Sequence, residues 1–161
     1  MSQHYYIKAT DAETSATGIK SATGINVYTT GIVGLNNFGI YPIVDVANPY
    51  DTRLYDVTLG YTINGTNADQ TWTKTDKDLA VAKEAGKDAQ KEKYEAEAQA
   101  IQEDYGMLIL TAIASKTSAQ RSANETAIID SLKTIATNLS NDIIAIDAAA
   151  DVDAIDAIVN P

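Results

Sequence analysis

The sequence predicts an α+β protein in which a small N-terminal antiparallel β module is followed by long amphipathic helices. Three observations carry that expectation. Up to about Thr75, apolar residues alternate with polar ones in short pieces broken by Gly, Pro and Asn, as half-buried strands do. From Asp76 onward Ala, Lys and Glu take over, and all three are good helix formers. Within that second part the apolar residues recur in steps of three and four, a heptad stripe that must be covered by another helix. The chain is therefore divided into a β-rich docking module over residues 1–75 and a helical oligomerisation or stalk region over 76–161, which closes on a short acidic segment.

Taken in order, the first strand is expected at Tyr5–Thr10. The pentapeptide Ser-Ala-Thr-Gly-Ile then occurs twice, at Ser15–Ile19 and Ser21–Ile25. In an extended chain this even spacing points Ile19 and Ile25 the same way, so a polar, Gly-containing loop or strand pair is expected. Further strands are placed at Asn26–Ile32 and Ile40–Val46, with Pro42 marking an edge or a bulge. Between them, Gly31–Gly39 has three glycines but no Gly-Lys-Ser/Thr, so it is taken as a turn and not a phosphate loop. Asn48-Pro-Tyr-Asp51 is a turn signal. The clearest strand is Tyr55–Ile63, whose odd positions are all apolar or aromatic and whose even positions are Asp56, Thr58, Gly60 and Thr62. Asn64-Gly65 then heads a polar turn leading to Thr71-Trp72-Thr73. Tyr61, Ile63 and Trp72 are expected to pack at the joint between the β module and the helices.

Thr75 or Asp76 is expected to cap the first helix, with acids in its opening turn facing the positive end of the dipole. If Asp78–Ser115 were one helix, at about 1.5 Å per residue it would be roughly 57 Å long, which suits a hairpin, a bundle or an oligomer. Its seam runs through Tyr94, Ala98, Ile101, Tyr105, Leu108 and Ala112. A second seam follows the polar stretch 115–126 at Ile129, Leu132, Ala136, Leu139, Ile143 and Ile146, widened by Ile128 and Ile135. The two stripes can meet each other as a helical hairpin, or meet those of further copies in a coiled-coil bundle.

Composition narrows function more than any motif does. With no cysteine and one histidine, His4, thiolate chemistry and multi-His metal sites are excluded. A balance of 22 acids to 12 bases, net −10, opposes nucleic-acid binding and adhesion to anionic membranes. The longest apolar run, Met107–Ala114, is too short to span a bilayer. The opening residues lack the pattern of a secretory signal, so synthesis in a cytoplasm is expected and the Asn-x-Ser/Thr triplets at Asn64, Asn124 and Asn138 are read as chance. Asp147, Asp151, Asp153 and Asp156 cluster near the end, but without the glycine and glutamate of a calcium loop. They are read as an acidic helix start with Ile155, Ile158 and Val159 as its apolar side. No catalytic residue, cofactor or metal is expected, and no enzyme.

The run Tyr41–Lys83 resembles a module of tailed-bacteriophage tail proteins. The elements that carry the likeness are Tyr41-Pro42, Tyr50-Asp51, Tyr61-Thr62-Ile63, Thr71-Trp72-Thr73, and Asp76 or Asp78 with Leu79-Ala80-Val81-Ala82-Lys83. The resemblance implies a virion structural component, a short tail fibre or baseplate-attached protein, with itself and other tail or baseplate proteins as partners. Phage fibres are commonly trimers, so a homotrimer through the heptad stripes is favoured. A tail-fibre assembly chaperone, absent from the finished virion, is the alternative. A glycan-active depolymerase is the weakest reading, and a host surface glycan stays an open class of partner.

Overall fold

The computed structural model describes residues 3–23, 25 and 34–161. It has an α+β fold, a mixed five-stranded sheet followed by helices. The chain falls into a sheet unit, Met1–Tyr50 with Val57–Thr75, and a helical unit, Asp51–Asp56 with Asp76–Pro161. The strand expected at Asn26–Ile32, the first part of the glycine-rich turn, and Gly24 in the second pentapeptide lie outside the described residues.

In the sheet unit the strands are β1 (His4–Ile7), β2 (Ala12–Ser15), β3 (Ile40–Val44), β4 (Tyr55–Asn64) and β5 (Asn67–Asp76), in the order β2-β1-β3-β5-β4. β1 is antiparallel to β2 and to β3. The module is not wholly antiparallel, however, because β3 pairs with β5 in parallel, Ile43 opposite Ala68 and Val44 opposite Asp69. The cause is the hairpin. β4 and β5 are joined by a two-residue turn at Gly65-Thr66, with Gly65 at φ +61°, a conformation open to glycine at no steric cost. The hairpin enters the sheet by its second strand, so that strand runs the same way as β3. Pro42 consequently sits in an interior strand and not at an edge. It is opposite Tyr5 on one side, while on the other the register with β5 begins only at Ile43, where no rung is demanded of its missing N–H.

Ala16–Ile19 of the first pentapeptide and Ser21–Thr23 of the second are helical, where a loop or strand pair was expected. Ser15 ends β2 and α1 occupies Ala16–Thr23. Ile19 is fully buried with Tyr5, Ile7, Leu35 and Ile40 in the core of this unit, and Ala16 and Ile25 pack against them. A helix turns some 100° per residue, so the helix supplies one apolar stripe to one face of the sheet. On the other face of β1, Tyr6 stacks on Tyr61 with ring centroids 4.6 Å apart.

The helical unit contains α2 (Leu79–Tyr105), α3 (Met107–Ser115), a single 3₁₀ turn at Ser118–Gln120, α4 (Ala123–Ala148) and α5 (Val152–Val159). The cap of α2 is Asp78, whose carboxylate accepts from the N–H groups of Ala80 (2.9 Å) and Val81 (3.3 Å). It falls later than Thr75 or Asp76 because β5 continues to Asp76. The single long helix is broken at Gly106, which takes φ +75°, ψ 144°. Such a backbone ends the run of i→i−4 hydrogen bonds and is strained for any residue with a side chain.

Lys87 meets Asp147 at 3.1 Å and Tyr94 meets Asp142 at 2.8 Å. One partner advances as the other retreats, so α2 and α4 form an antiparallel hairpin. The buried face of α2 is Ala82, Gly86, Ala89, Gln90 and Tyr94, small residues at one end that let α5 approach. There Val152 and Ile155 are buried, and Gln90 Nε2 donates to the Ile158 carbonyl at 2.9 Å. Leu54 and Tyr55 are buried in the same unit, and the Tyr55 hydroxyl lies 2.8 Å from Asp153 and 3.1 Å from Asp156.

Candidate functional site

The helical seam and the tip of the hairpin are the surfaces with the most to offer a partner. Of the first stripe, Tyr94 is buried, Ala98 and Ile101 are half-buried, and Tyr105, Leu108 and Ala112 are exposed. The stripe thus fades toward Gly106, and Leu108, 84% exposed, lies beyond it on a separate helix. Of the second, Ile146 and Ile128 are buried. Ile129, Leu132, Ile135, Leu139 and Ile143 are half-buried, and Ala136 is exposed. The hairpin therefore covers its own seam at the α5 end and leaves it partly open along the rest.

The tip is built by α3. Its sequence, MLILTAIAS, has no charged residue, and only Ile113 is buried. Met107, Leu108 and Ile109 stand as a ridge, each more than half exposed. Beside this ridge lies a groove of about 640 Å³ floored by Ala98, Leu110, Ala114, Ile129 and Leu132, with Glu95 and Glu103 as its only charged lining residues.

The turn that holds α3 in place is densely bonded. Arg121 donates to the carbonyls of Ile113 (Nε, 3.1 Å) and Ala114 (Nη2, 3.2 Å), placing a cation on the negative end of the helix. Lys116 pairs with Glu125 at 2.5 Å. Ser122 caps α4 in a reciprocal arrangement with Glu125, the Ser122 N–H donating to Glu125 Oε2 at 2.8 Å and the Glu125 N–H to Ser122 Oγ at 3.3 Å. The Lys116 ammonium, foremost, and the Ser122 N–H hold the Glu125 carboxyl below its usual range. Sequence reasoning put Leu108 on the seam and missed Met107, Ile109 and Arg121. The visible signal was the absence of any acid between Asp104 and Glu125.

The aromatic group expected at the joint finds the partners described for it inside the sheet unit. Tyr61 donates to Glu13 at 2.7 Å and stacks on Tyr6, while Trp72, half-buried, donates from Nε1 to the Val46 carbonyl at 2.8 Å. Burial and the Glu13 carboxylate push the Tyr61 hydroxyl up to about 12. Ile63 is half-buried on β4. Asp151 caps α5, accepting from the Ala154 N–H at 2.8 Å. Among the described residues no three His, Cys, Asp or Glu side chains converge as a metal-binding group, and no helix is long and apolar enough to cross a membrane. Comparison with protein-family models, with curated proteins and with solved structures returned no match.

Proposed function

We propose that the protein is a structural component of a bacteriophage tail, a short tail fibre or a baseplate-attached protein, acting through protein–protein assembly and not through catalysis. One observation carries the reading. It is the resemblance of the Tyr41–Lys83 segments to a tail module, a run that in this chain forms β3, β4, the Gly65-Thr66 turn, β5 and the start of α2. The half-open seam of the helical unit supports self-assembly, with a homotrimer favoured, since heptad stripes can close a symmetric bundle.

Mass spectrometry of purified particles with copy-number measurement tests the reading. A fixed number of copies per particle is the expected result. Expression during infection with no copies in finished particles would overturn it in favour of an assembly chaperone.

A further inference from the structure

We propose that the groove between α2, α3 and α4 receives an amphipathic helix of a partner protein, one whose narrow apolar stripe is flanked by lysine or arginine. The inference goes beyond the tail reading, because it rests on the groove alone and names the chemistry of a partner for any assembly the protein enters. It leaves Ile135, Leu139 and Ile143, half-buried along the seam, for self-assembly.

The first ground is the build of the walls. The groove holds about 640 Å³, and its apolar lining is Ala98, Met107, Leu110, Ala114, Ile129 and Leu132. α2 lines it at i, i+3, i+4 and i+7 from Glu95, ending at Glu103, a stretch of about 12 Å or roughly two helical turns. α3 lines it at the same spacing from Met107 to Ala114. Two helices that each present such a stripe form a trough, and a third helix fills it with an apolar stripe of matching period.

The second ground is charge. The charged residues of the lining are Glu95 and Glu103. From Tyr94 to Ser115 the chain carries four acids, Glu95, Glu97, Glu103 and Asp104, and no base. A smaller hollow of about 310 Å³, between the end of α2 and the start of α4, has Asp104 as its charged residue. Glu103 accepts from the neutral Gln99 at 2.9 Å, and among the described residues no ion pair reaches Glu95, Glu103 or Asp104. The bases around this end are engaged elsewhere: Lys116 with Glu125, Arg121 with the end of α3, and Lys133 with Asp130. An apolar trough with an uncompensated acidic rim selects a partner that brings cations beside its apolar stripe.

The same charge decides against other occupants. A second copy brings a net charge of −10 and the same acidic rim, so two copies repel at this end. An anionic bilayer is repelled likewise.

The test titrates the full chain against three labelled peptides of about 18 residues, long enough to hold a helix, read by fluorescence anisotropy. One peptide has leucines on one face and lysines elsewhere. The second has glutamates in place of the lysines, and the third is a scramble of the first with its leucines spread around the helix. Salt is kept at about 0.15 M, where charges more than about 8 Å apart are largely screened. The lysine peptide is expected to bind in the micromolar range, at least about tenfold tighter than the other two. Glu95→Gln with Glu103→Gln should weaken it by about fivefold. Asp56→Asn with Asp76→Asn, exposed acids outside the groove, makes the same change in net charge and should not. Leu110→Gln removes part of the apolar floor and Ala114→Gln obstructs it, both without altering charge. Each should weaken binding by at least about fivefold with unchanged circular dichroism. Ala114 is exposed and glutamine is a good helix former, so this variant reads the groove even if Leu110→Gln disturbs the fold.

Binding that is absent up to about 100 μM, equal for the scramble, or weakened as much by the Asp56 and Asp76 changes overturns the proposal. So does equal binding of the glutamate peptide, which would make the groove indifferent to charge. Dimers in sedimentation equilibrium that Leu110→Gln dissociates would overturn it in favour of a second copy. Flotation with phosphatidylcholine vesicles that Leu110→Gln abolishes would overturn it in favour of lipid. Copy number in particles bears on the tail reading alone, so the two can fail separately.

Discussion

A methyl group placed on Gly86 of α2 would stand 2.7 Å from Cγ2 of Ile155 on α5, with Ile146 and Val159 side chains just behind at 3.6 Å. Gly86 is therefore a packing residue in a helix interior, where glycine ordinarily costs about 1 kcal/mol relative to alanine. The contact atom is a branch on Cβ of a fully buried isoleucine, which cannot swing aside as a flexible chain end can.

Gly86→Ala is accordingly expected to destabilise the helical unit by about 1–2 kcal/mol, the overpacking outweighing the gain in propensity. Ile155→Ala alone should cost about 2–4 kcal/mol. In the double variant the alanine methyl occupies part of the vacated space, so the two effects should fall short of their sum. Urea denaturation of the four proteins checks this, and strict additivity would mean that the two sites do not touch.

Tyr94 gives a prediction for alkaline pH. Its hydroxyl donates to Asp142 at 2.8 Å, and that hydrogen bond, aided by burial, pushes it up to about 12 from an ordinary value of 10.0. A group whose folded pKa is raised contributes stability that is complete below the unfolded value and is lost as pH rises through the folded one. Helical stability should therefore fall between pH 10 and 12, and Tyr94→Phe should flatten that fall. Tyr61 predicts the same window for the sheet unit. Tyrosinate absorbance and circular dichroism, followed together against pH, separate the two.

At acidic pH the sensitive group is Asp51. The bidentate hydrogen bonds from Arg53 hold its carboxyl down at about 2, from 3.8. A depressed pKa means stability present above the unfolded value and lost as pH falls through the folded one. Loss should thus run from pH 4 to 2, and Asp51→Asn should remove the part of it that belongs to this pair. Acid titration of wild type and variant, read by helix content, provides the check.

Arg121 is predicted to matter more than its surface position suggests. Arg121→Ala leaves the Ile113 and Ala114 carbonyls without their guanidinium and should loosen α3, with a cost of about 1 kcal/mol. Hydrogen exchange should rise in 107–115 and stay unchanged in α2 near Gly86. Lys retains the charge but not the forked geometry, so Arg121→Lys should restore only part of the protection.

Periodicity found the elements whose covering surface lies close at hand. The alternation from Tyr55 to Ile63 and the steps through Tyr94, Ala98 and Ile101 each report one face of one element, and the structure places strand and helix there. What periodicity does not encode is which edge of a hairpin enters a sheet, so the parallel β3–β5 pair was missed. Nor does it record backbone conformation. Gly86 and Gly106 are equivalent letters in a helical pattern, yet one admits a neighbouring helix and the other turns the chain. The α1 helix was missed because a short Ser/Thr/Gly-rich segment has weak local preference and owes its helicity to Ile19 entering the core. The tip was half legible, since its apolar run was noticed but was continued as seam through a glycine.

Leu54 and Tyr55, at which the chain enters β4, belong to the helical unit. The helical unit is discontinuous in sequence, and the β4–β5 hairpin is an excursion between Asp56 and Asp76. A fragment beginning at Asp76 has every helix described for this unit and lacks two of its buried side chains, Leu54 and Tyr55. A fragment beginning at Asp51 has them all but must carry the hairpin along. During synthesis on a ribosome, Tyr55 precedes Asp153 by 98 residues, and its hydroxyl meets that partner only once α5 has been made.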